Sequence, residues 1–334
     1  MAVVKADAYG HGMVEVARAV QQEQVDWLGV AIAEEGVSLR EQDIALPILV
    51  FGAMNQRGMD AAAQHRLTVT LTSPASVQMA QIAAERTGTS IDAHLKLDTG
   101  MNRIGAKTER AVLDVLEALG NAPAVQLSGA FTHLANADDA DQRYTDHQLH
   151  RFRELTALLP EGLLLHAAAT AAATLRADSH FGMVRLGIGL YGYPPLASKV
   201  QLQPSMRFEA EVTFIKDLAA GECVSYGCTF TAPVSMRVAT LAVGYGDGYR
   251  RALSGKGQVL LHGHRCPILG RVCMDQCMVD VSAVPTVSLG DRAVLMGTDG
   301  EEEITAADLA DLLETIPYEV LLSPTERVPR TYSE

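Results

Sequence analysis

Met1-Ala2-Val3-Val4-Lys5-Ala6-Asp7-Ala8-Tyr9-Gly10-His11-Gly12 opens the chain. Ala2–Val4 is an apolar run long enough for a buried parallel strand, and it leads directly into Lys5. A turn carrying Tyr9, Gly10, His11 and Gly12 follows, and then a helical pattern. A lysine at the carboxyl end of a buried strand is costly to place unless something uses its charge. In parallel α/β architectures that end of the strands carries the chemistry. The competing reading is a strand-end lysine that reaches past the core into solvent.

Working outward, short β-branched runs recur up to about residue 190. They predict strands over Ala2–Val4, Trp27–Ala31, Pro47–Phe51, Leu67–Leu71, Ile91–Leu97, Val125–His133, Leu163–His166 and Met183–Leu186. Apolar residues spaced three and four apart fill the gaps: Met13-Val16-Ala17-Val20, Val77-Ala80-Ile82-Ala83, Val112-Val115-Leu116-Leu119 and the stretch 141–159. Eight strands alternating with helices are the count of a (β/α)8 TIM-type barrel. An open doubly wound sheet competes, but no G-x-G-x-x-G follows an early strand.

After Tyr193-Pro194-Pro195 the texture changes. Residues 196–206 read as a linker. Strands then dominate: Arg207–Asp217, Arg237–Val243, Gly257–Leu261, Arg265–Val272, Cys277–Val281 and Arg292–Met296, with one late helix over Thr305–Leu313 whose N-cap is Thr305. The expectation is an α/β barrel over residues 1–203 followed by a mostly-β C-terminal domain over 204–334. Strand one starts at residue 1 with nothing ahead of it to cover the barrel floor. Met1 therefore reads as an internal methionine, and an N-terminal segment is expected to be missing.

A net charge of -13 argues against sequence-independent binding to nucleic acid and against docking on anionic membranes. No apolar run approaches the roughly 20 residues of a membrane span, and the first residues lack a signal-peptide pattern. Cys223, Cys228, Cys266, Cys273 and Cys277 are odd in number and include no C-x-x-C pair. No disulfide framework is expected, and the reading is a cytoplasmic protein. Cys273 and Cys277 read as small buried hydrophobes, so no metal site is expected.

The expected strand ends collect an unusual set of side chains. Strand one gives Lys5, strand five gives Lys96 and, a few residues on, Arg103; strands six, seven and eight give His133, His166 and Arg185. This is a basic mouth in an acidic protein, suited to a ligand bearing phosphate and carboxylate groups. In such barrels phosphate commonly sits after strands seven and eight. Here those positions hold Thr170 at a helix start and Gly187-Ile188-Gly189. A lysine beside a phosphate-bearing ligand leaves two Schiff-base chemistries open: an aldolase, or a pyridoxal-phosphate enzyme.

Val4-Lys5-Ala6-Asp7-Ala8-Tyr9-Gly10-His11-Gly12 resembles the cofactor-attachment signature of bacterial alanine racemases. The resemblance continues through Lys96-Leu97-Asp98-Thr99-Gly100-Met101-Asn102-Arg103-Ile104-Gly105, Phe131-Thr132-His133 and Val184-Arg185-Leu186-Gly187-Ile188. It extends to Val224-Ser225-Tyr226-Gly227, Val243-Gly244-Tyr245-Gly246-Asp247-Gly248-Tyr249 and Cys273-Met274-Asp275-Gln276-Cys277.

The resemblance implies an isomerase that interconverts L- and D-alanine with pyridoxal 5'-phosphate, supplying D-alanine for peptidoglycan or catabolising it. Lys5 would hold the cofactor and act as one base. Tyr226 would be the other, supplied by the partner subunit of a homodimer with shared active sites. Tyr9, Thr170 and the backbone at Gly187 and Ile188 would hold the phosphate. Arg185 would face the pyridine nitrogen with His166 behind it, and His133 would also belong to the cofactor site. Arg103 would bond the cofactor's phenolate oxygen and, with the backbone of Met274, place the substrate carboxylate. Lys96 matches a lysine often carbamylated in the family, and Tyr245, Arg251 and Asp275 would line the entrance.

The chemistry fits these roles. Racemisation removes the Cα proton from one face and returns one to the other, so two bases must oppose each other. Tyrosine is a poor base at its free pKa of about 10 and needs nearby cations, which the basic mouth supplies. One departure is Glu326, which stands before Arg327-Val328-Pro329-Arg330 where the family carries a phosphate-binding tyrosine. The alternatives are an amino-acid decarboxylase or a broad-specificity racemase using the same cofactor, and a non-catalytic cofactor-binding protein. Arg185, where a decarboxylase places an acid, disfavours the first. The β-domain disfavours the last.

Overall fold

The computed structural model describes residues 1–195 and 200–333. The linker expected over 196–206 therefore lies partly, at 196–199, outside the described residues. The chain divides into two compact units, Met1–Gln203 and Pro204–Glu334.

The first unit carries seven short parallel strands: β1 (Ala2–Val3), β2 (Leu28–Val30), β3 (Ile48–Val50), β4 (Val69–Leu71), β5 (Ile91–Lys96), β6 (Val125–Phe131) and β7 (Leu164–His166). They pair in the orders β1-β2-β3 and β4-β5-β6-β7. A parallel bridge between Leu49 and Thr68 joins the two runs. The ring closes through the segment expected as strand eight, where Leu186 bridges Ala2 and Gly182 N–H donates to Leu165 O at 3.0 Å. That segment is a closing bridge rather than a regular strand: its one bridged pair is Leu186 with Ala2, and the Arg185 N–H reaches the loop just past β7, at Ala168 O 3.0 Å away. The barrel is nonetheless complete.

Strand residues such as Leu28, Val30, Ile48, Val50, Val69 and Leu71 are fully buried, as expected where helices cover a parallel sheet. The covering helices run over Met13–Gln22, Ala33–Glu41, Gln56–Gln64, Pro74–Thr87, Glu109–Gly120 and Arg143–Thr156. β1, β2, β3, β5 and β6 stop one or two residues short of their expected ends, while β4 and β7 end at Leu71 and His166 as expected. The carboxyl-end residues peel off into the loops that build the site.

The second unit is mostly β. Strands β8 (Phe208–Leu218), β11 (Met236–Leu241), β12 (Gln258–Leu261), β13 (His264–Leu269), β14 (Cys277–Asp280), β15 (Arg292–Asp299) and β16 (Glu302–Ile304) form one sheet in the order β12-β13-β14-β11-β8-β15-β16. Leu260 of β12 also pairs with Val294 of β15, so the sheet curls back on itself. A separate hairpin, β9 (Cys223–Val224) with β10 (Phe230–Thr231), was not expected and carries Tyr226 in its loop. The late helix spans Ala306–Leu313, with the Thr305 side chain accepting from Asp308 N–H.

Candidate active site

Lys5 sits at the end of β1, and the turn behind it is left-handed. Ala6, Asp7, Ala8 and Tyr9 have φ of 50, 52, 52 and 55°. Four consecutive non-glycine residues in that region are unfavourable unless the surroundings fix them. Glu35 Oε1 accepts from Ala6 N–H at 2.6 Å, and Asp7 Oδ1 accepts from Met13 N–H at 2.7 Å. Glu35 also accepts from Ala31 N–H at 2.7 Å, tying the lysine turn to the end of β2. Neither acid was singled out in the sequence. Burial lowers the Lys5 pKa from the usual lysine value, and Arg103 lowers it further, against an opposing effect of Glu35. An amine shifted that way is readier to react as the free base.

The basic rim assembles as expected from the strand ends. Arg185 is 4 % exposed. Its guanidinium donates to Thr132 O at 2.9 Å, Ala167 O at 2.7 Å and His166 Nδ1 at 2.8 Å. Burial pulls its pKa down to about 9, still a cation at neutral pH. An arginine can only donate, so His166 Nδ1 accepts and the imidazole proton is on Nε2. That proton points at His94 Nδ1, 2.9 Å away. The cation therefore fixes two neutral tautomers in series. His94 is pushed down to about 4 and His166 well below the usual range, in both cases by burial first and Arg185 second.

His94 was missed by the sequence reading. It stands two residues before Lys96 on β5, and a period of two puts both on the same face of the strand. That alternation was the available signal.

Lys96 is 3 % exposed, with its ammonium 5.0 Å from the centre of the Phe131 ring and 3.3 Å from Leu97 O. Burial, then Arg185, bring it down to about 7, with Asp98 opposing. His133 lies just past β6 and is pushed down to about 3, chiefly by burial and then by Arg185, Lys96, Arg103 and Lys5. Arg103 is exposed on the loop after β5. Asp98 Oδ1 braces that loop by accepting from Gly100 and Asn102 N–H at 3.1 and 2.9 Å. Lys5, Lys96, Arg103, His133, His166 and Arg185 are thus one electrostatic cluster.

Beside it lies a small cradle. Thr170 Oγ1 accepts from Gly187 N–H at 3.1 Å and from Gly189 N–H at 3.2 Å. A side chain at Gly187 would place its Cβ 2.6 Å from the Tyr9 hydroxyl, so only glycine lets that hydroxyl approach. Tyr9, Thr170 and the Gly187 and Gly189 amides converge as an anion site does. Ile188, whose backbone is also expected at the phosphate, lies between these two glycines. The donor set therefore fits a phosphorylated pyridine aldehyde: an amine shifted toward its free base, a hydroxyl-and-amide cradle, and a buried cation with its own acceptors behind it.

The second unit brings together the other expected residues. Ser225, Tyr226, Cys273, Met274, Asp275 and Gln276 line one pocket. Tyr245 joins it through the backbone, since Tyr245 and Gly246 N–H donate to Cys273 O at 3.0 Å and Met274 O at 2.8 Å. Asp275 pairs with Arg327 at 2.8 Å. Arg251 lies outside that pocket's lining, on the short turn Arg251–Leu253. Tyr226 is 71 % and Met274 53 % exposed.

The cysteine reading needs correction. Cys223 and Cys228 form a disulfide, and Cys266, Cys273 and Cys277 are free. A five-residue spacing is no sequence signature of pairing. The β9–β10 hairpin creates the proximity.

The chain thus joins a (β/α)8 barrel carrying Lys5 at its rim to a β unit that exposes Tyr226, an architecture it shares with barrel-type amino-acid racemases. The family model "Alanine racemase, N-terminal domain" matches residues 1–195, and "Alanine racemase, C-terminal domain" matches residues 205–332. An alanine racemase from Symbiobacterium thermophilum is 44 % identical, over 99 % of this chain and 90 % of its own. The crystal structure of alanine racemase from E. faecalis superposes with a TM-score of 0.94 at 36 % identity, covering 100 % of this chain and 91 % of that one. A histidine racemase from Leuconostoc mesenteroides superposes with a TM-score of 0.93 at 30 % identity, covering 100 % and 91 %. The chain belongs to the alanine racemase family and is an isomerase.

Proposed function

We propose that Lys5 and Tyr226 are the opposed bases of alanine racemisation in this chain, working with pyridoxal 5'-phosphate in a homodimer. The racemisation itself follows from family membership over both units. The barrel unit, residues 1–203, serves as the cofactor-binding domain, and residues 204–334 supply the second base. When bound at Lys5, the cofactor draws electrons from the substrate Cα–H bond. Lys5 Nζ exchanges the Cα proton on one face, and the Tyr226 hydroxyl oxygen exchanges it on the other. Tyr9, Thr170 and the amides of the Gly187 loop hold the phosphate. Arg185 presents a cation to the pyridine nitrogen, held in place by His166. Arg103 and the Met274 backbone orient the carboxylate.

A Lys96 pKa near 7 leaves much of that amine neutral at physiological pH, the form that adds carbon dioxide to give a carbamate and a released proton. The resulting anion would orient Arg103. The exposure of Tyr226 on its own unit supports its service to the barrel of a second copy. Among the described residues no helix is long and apolar enough to cross a membrane. We read the enzyme as cytoplasmic, making D-alanine for peptidoglycan or consuming it.

The observation that carries this reading is Lys5 with a lowered pKa, within the electrostatic reach of Arg103 and at the end of a barrel strand. The experiment is to titrate the protein with pyridoxal phosphate and follow L- to D-alanine conversion, with Lys5→Ala alongside. Loss of both the visible absorption band and turnover in Lys5→Ala is expected. Full activity in that variant would overturn the assignment. Serine and histidine belong in the same assay, since one fold neighbour is described as a histidine racemase.

A further inference from the structure

The loop that presents Tyr226 is closed by a covalent bond that the racemisation chemistry does not use. Cys223 lies on β9, opposite Thr231 of β10. Cys228 follows in the loop, with a Cα–Cα distance of 5.2 Å between the two cysteines. That separation is inside the range a disulfide spans without backbone movement. It is set by the hairpin register, so the bond can open and close in place. Both cysteines are exposed. The ring they close holds only Val224, Ser225, Tyr226 and Gly227, too short a loop for the bridge to be a major constraint on the unfolded chain.

The loop backbone needs help to hold its shape. Ser225, Gly227 and Cys228 have φ of 67, 74 and 45°, so two non-glycine residues occupy the left-handed region on either side of the tyrosine. One limb is anchored, since Ser225 Oγ donates to Arg271 O at 2.7 Å. On the other limb, the Cys228 N–H reaches Ser225 O at a long 3.3 Å, and the disulfide supplies the firm tie. Tyr226 itself is 71 % exposed, so its position depends on the backbone beneath it rather than on packing. Two of the three other thiols are poorly placed to compete: Cys266 and Cys277 are buried, and burial pushes them up to about 11 and about 12, whereas Cys273 is partly exposed and free.

We propose that Cys223 and Cys228 form a reversible dithiol/disulfide site that sets how firmly Tyr226 is presented for proton transfer. The proposal rests on the reading of Tyr226 as the second base. Closure breaks two S–H bonds and forms one Sγ–Sγ bond. The two electrons and two protons pass to a small-molecule disulfide, which leaves as two thiols. Opening is the reverse exchange with a small dithiol or two thiols. In the closed state the tyrosine is held for reaction, and in the open state its limb of the loop loosens. In a reducing compartment an exposed bridge of this kind is redox-sensing rather than structural.

The test equilibrates the cofactor-loaded enzyme in glutathione buffers, from fully reduced to fully oxidised. Three quantities are read: alkylation of each cysteine by mass spectrometry, amide hydrogen exchange over residues 225–229, and kcat and KM for alanine. Oxidation should protect Cys223 and Cys228 together. Reduction should speed exchange in the loop and lower kcat about fivefold with KM nearly unchanged, because a misplaced base costs rate and not substrate binding. Cys223→Ser and Cys228→Ser should each hold the enzyme at the reduced rate in every buffer. Failure of the pair to oxidise, kcat that stays constant while the pair interconverts, or an equal response in either serine variant would each overturn the proposal. Tyr226→Phe separates the two readings. Full activity in that variant removes the base assignment, while alkylation and exchange still report whether the bridge controls the loop.

Discussion

Arg185 is 4 % exposed and Tyr226 is 71 % exposed, and the two residues stand for two ways of placing a side chain of the proposed site. On the barrel rim Lys96, His166 and Arg185 are buried, and neighbours impose the orientation of most of the rim's side chains. Arg185 is held by two carbonyls and a histidine, His166 is held by Arg185 and His94, and the Lys5 turn is held by Glu35 and Asp7. On the β unit the chemistry stands in open loops around Tyr226 and Met274, tied by backbone bonds and an exposed ion pair. Burial shifts pKa values, and the rim shows it at Lys5, Lys96, His94 and His133. The rim is tuned by its own unit. In the proposed dimer, another barrel would supply the loop cluster with a desolvated environment.

The sharpest way to break this comparison is at Tyr226. Tyr226→Phe removes one oxygen from an exposed side chain, so folding should be untouched. A lost general base costs about 10²–10⁴-fold in rate. The measurement is turnover in both directions, with cofactor binding by absorbance as the control. Unchanged turnover would mean that the exposed half carries no chemistry and that the rim works alone.

Gly187→Ala probes the rim by the opposite route, through packing. The new Cβ would lie 2.6 Å from the Tyr9 hydroxyl. Tyr9 is 7 % exposed and packs against the Tyr191 ring at 4.9 Å, which limits its escape. Overpacking of this kind costs about 1–3 kcal/mol. The expectation is at least about a tenfold weaker affinity for pyridoxal phosphate, with a lowered Tm. Wild-type affinity in this variant would show that the cradle does not hold the phosphate.

These tests also mark what was legible in the sequence. The barrel was readable because the strands are short, mostly apolar runs between helical periods, and Lys5, Lys96, His166 and Arg185 sit where those runs end. The strand over 183–186 was over-read. Its residues have strand composition, but its hydrogen bonds are diverted to close the ring. Glu35 was invisible as a site residue, and His94 was signalled only by its spacing of two from Lys96, because their importance lies in whom they touch: the Ala6 amide in one case, His166 in the other. The Cys223–Cys228 bridge was missed for the same reason, since the hairpin that pairs the two is made of strands only two residues long.

The rim should also respond to pH. His94 holds a pKa of about 4 in the folded chain against 6.5 unperturbed. Between those values the unfolded chain takes up a proton that the folded chain refuses. Stability therefore falls as pH falls through that window, and the contribution is intact above about 6.5 and gone below about 4. For one buried histidine the loss is on the order of 3 kcal/mol, and His133 extends the window down to about 3. Thermal unfolding of His94→Gln, which keeps an acceptor for His166 Nε2–H but does not titrate, should show a shallower loss of Tm from pH 7 to 4. Parallel slopes for the variant and the wild type would place the acid sensitivity elsewhere.

The smallest effect tests whether stability of the β unit can be separated from its loop chemistry. Thr305 Oγ1 accepts from Asp308 N–H at 3.0 Å, and Asp308 Oδ2 accepts from Thr305 N–H at 2.8 Å, a reciprocal cap on the helix Ala306–Leu313. Thr305→Ala removes one half of that box and should cost about 1 kcal/mol. Neither residue lines the pocket that holds Tyr226 and Met274. Urea unfolding should therefore shift to lower denaturant while kcat and KM stay at wild-type values. A fall in kcat with only a small change in the unfolding midpoint would show that the loops holding Tyr226 sense the packing of this helix. The open half of the site would then be positioned by its whole unit, as the buried half is, and the contrast between the two would reduce to solvent exposure alone.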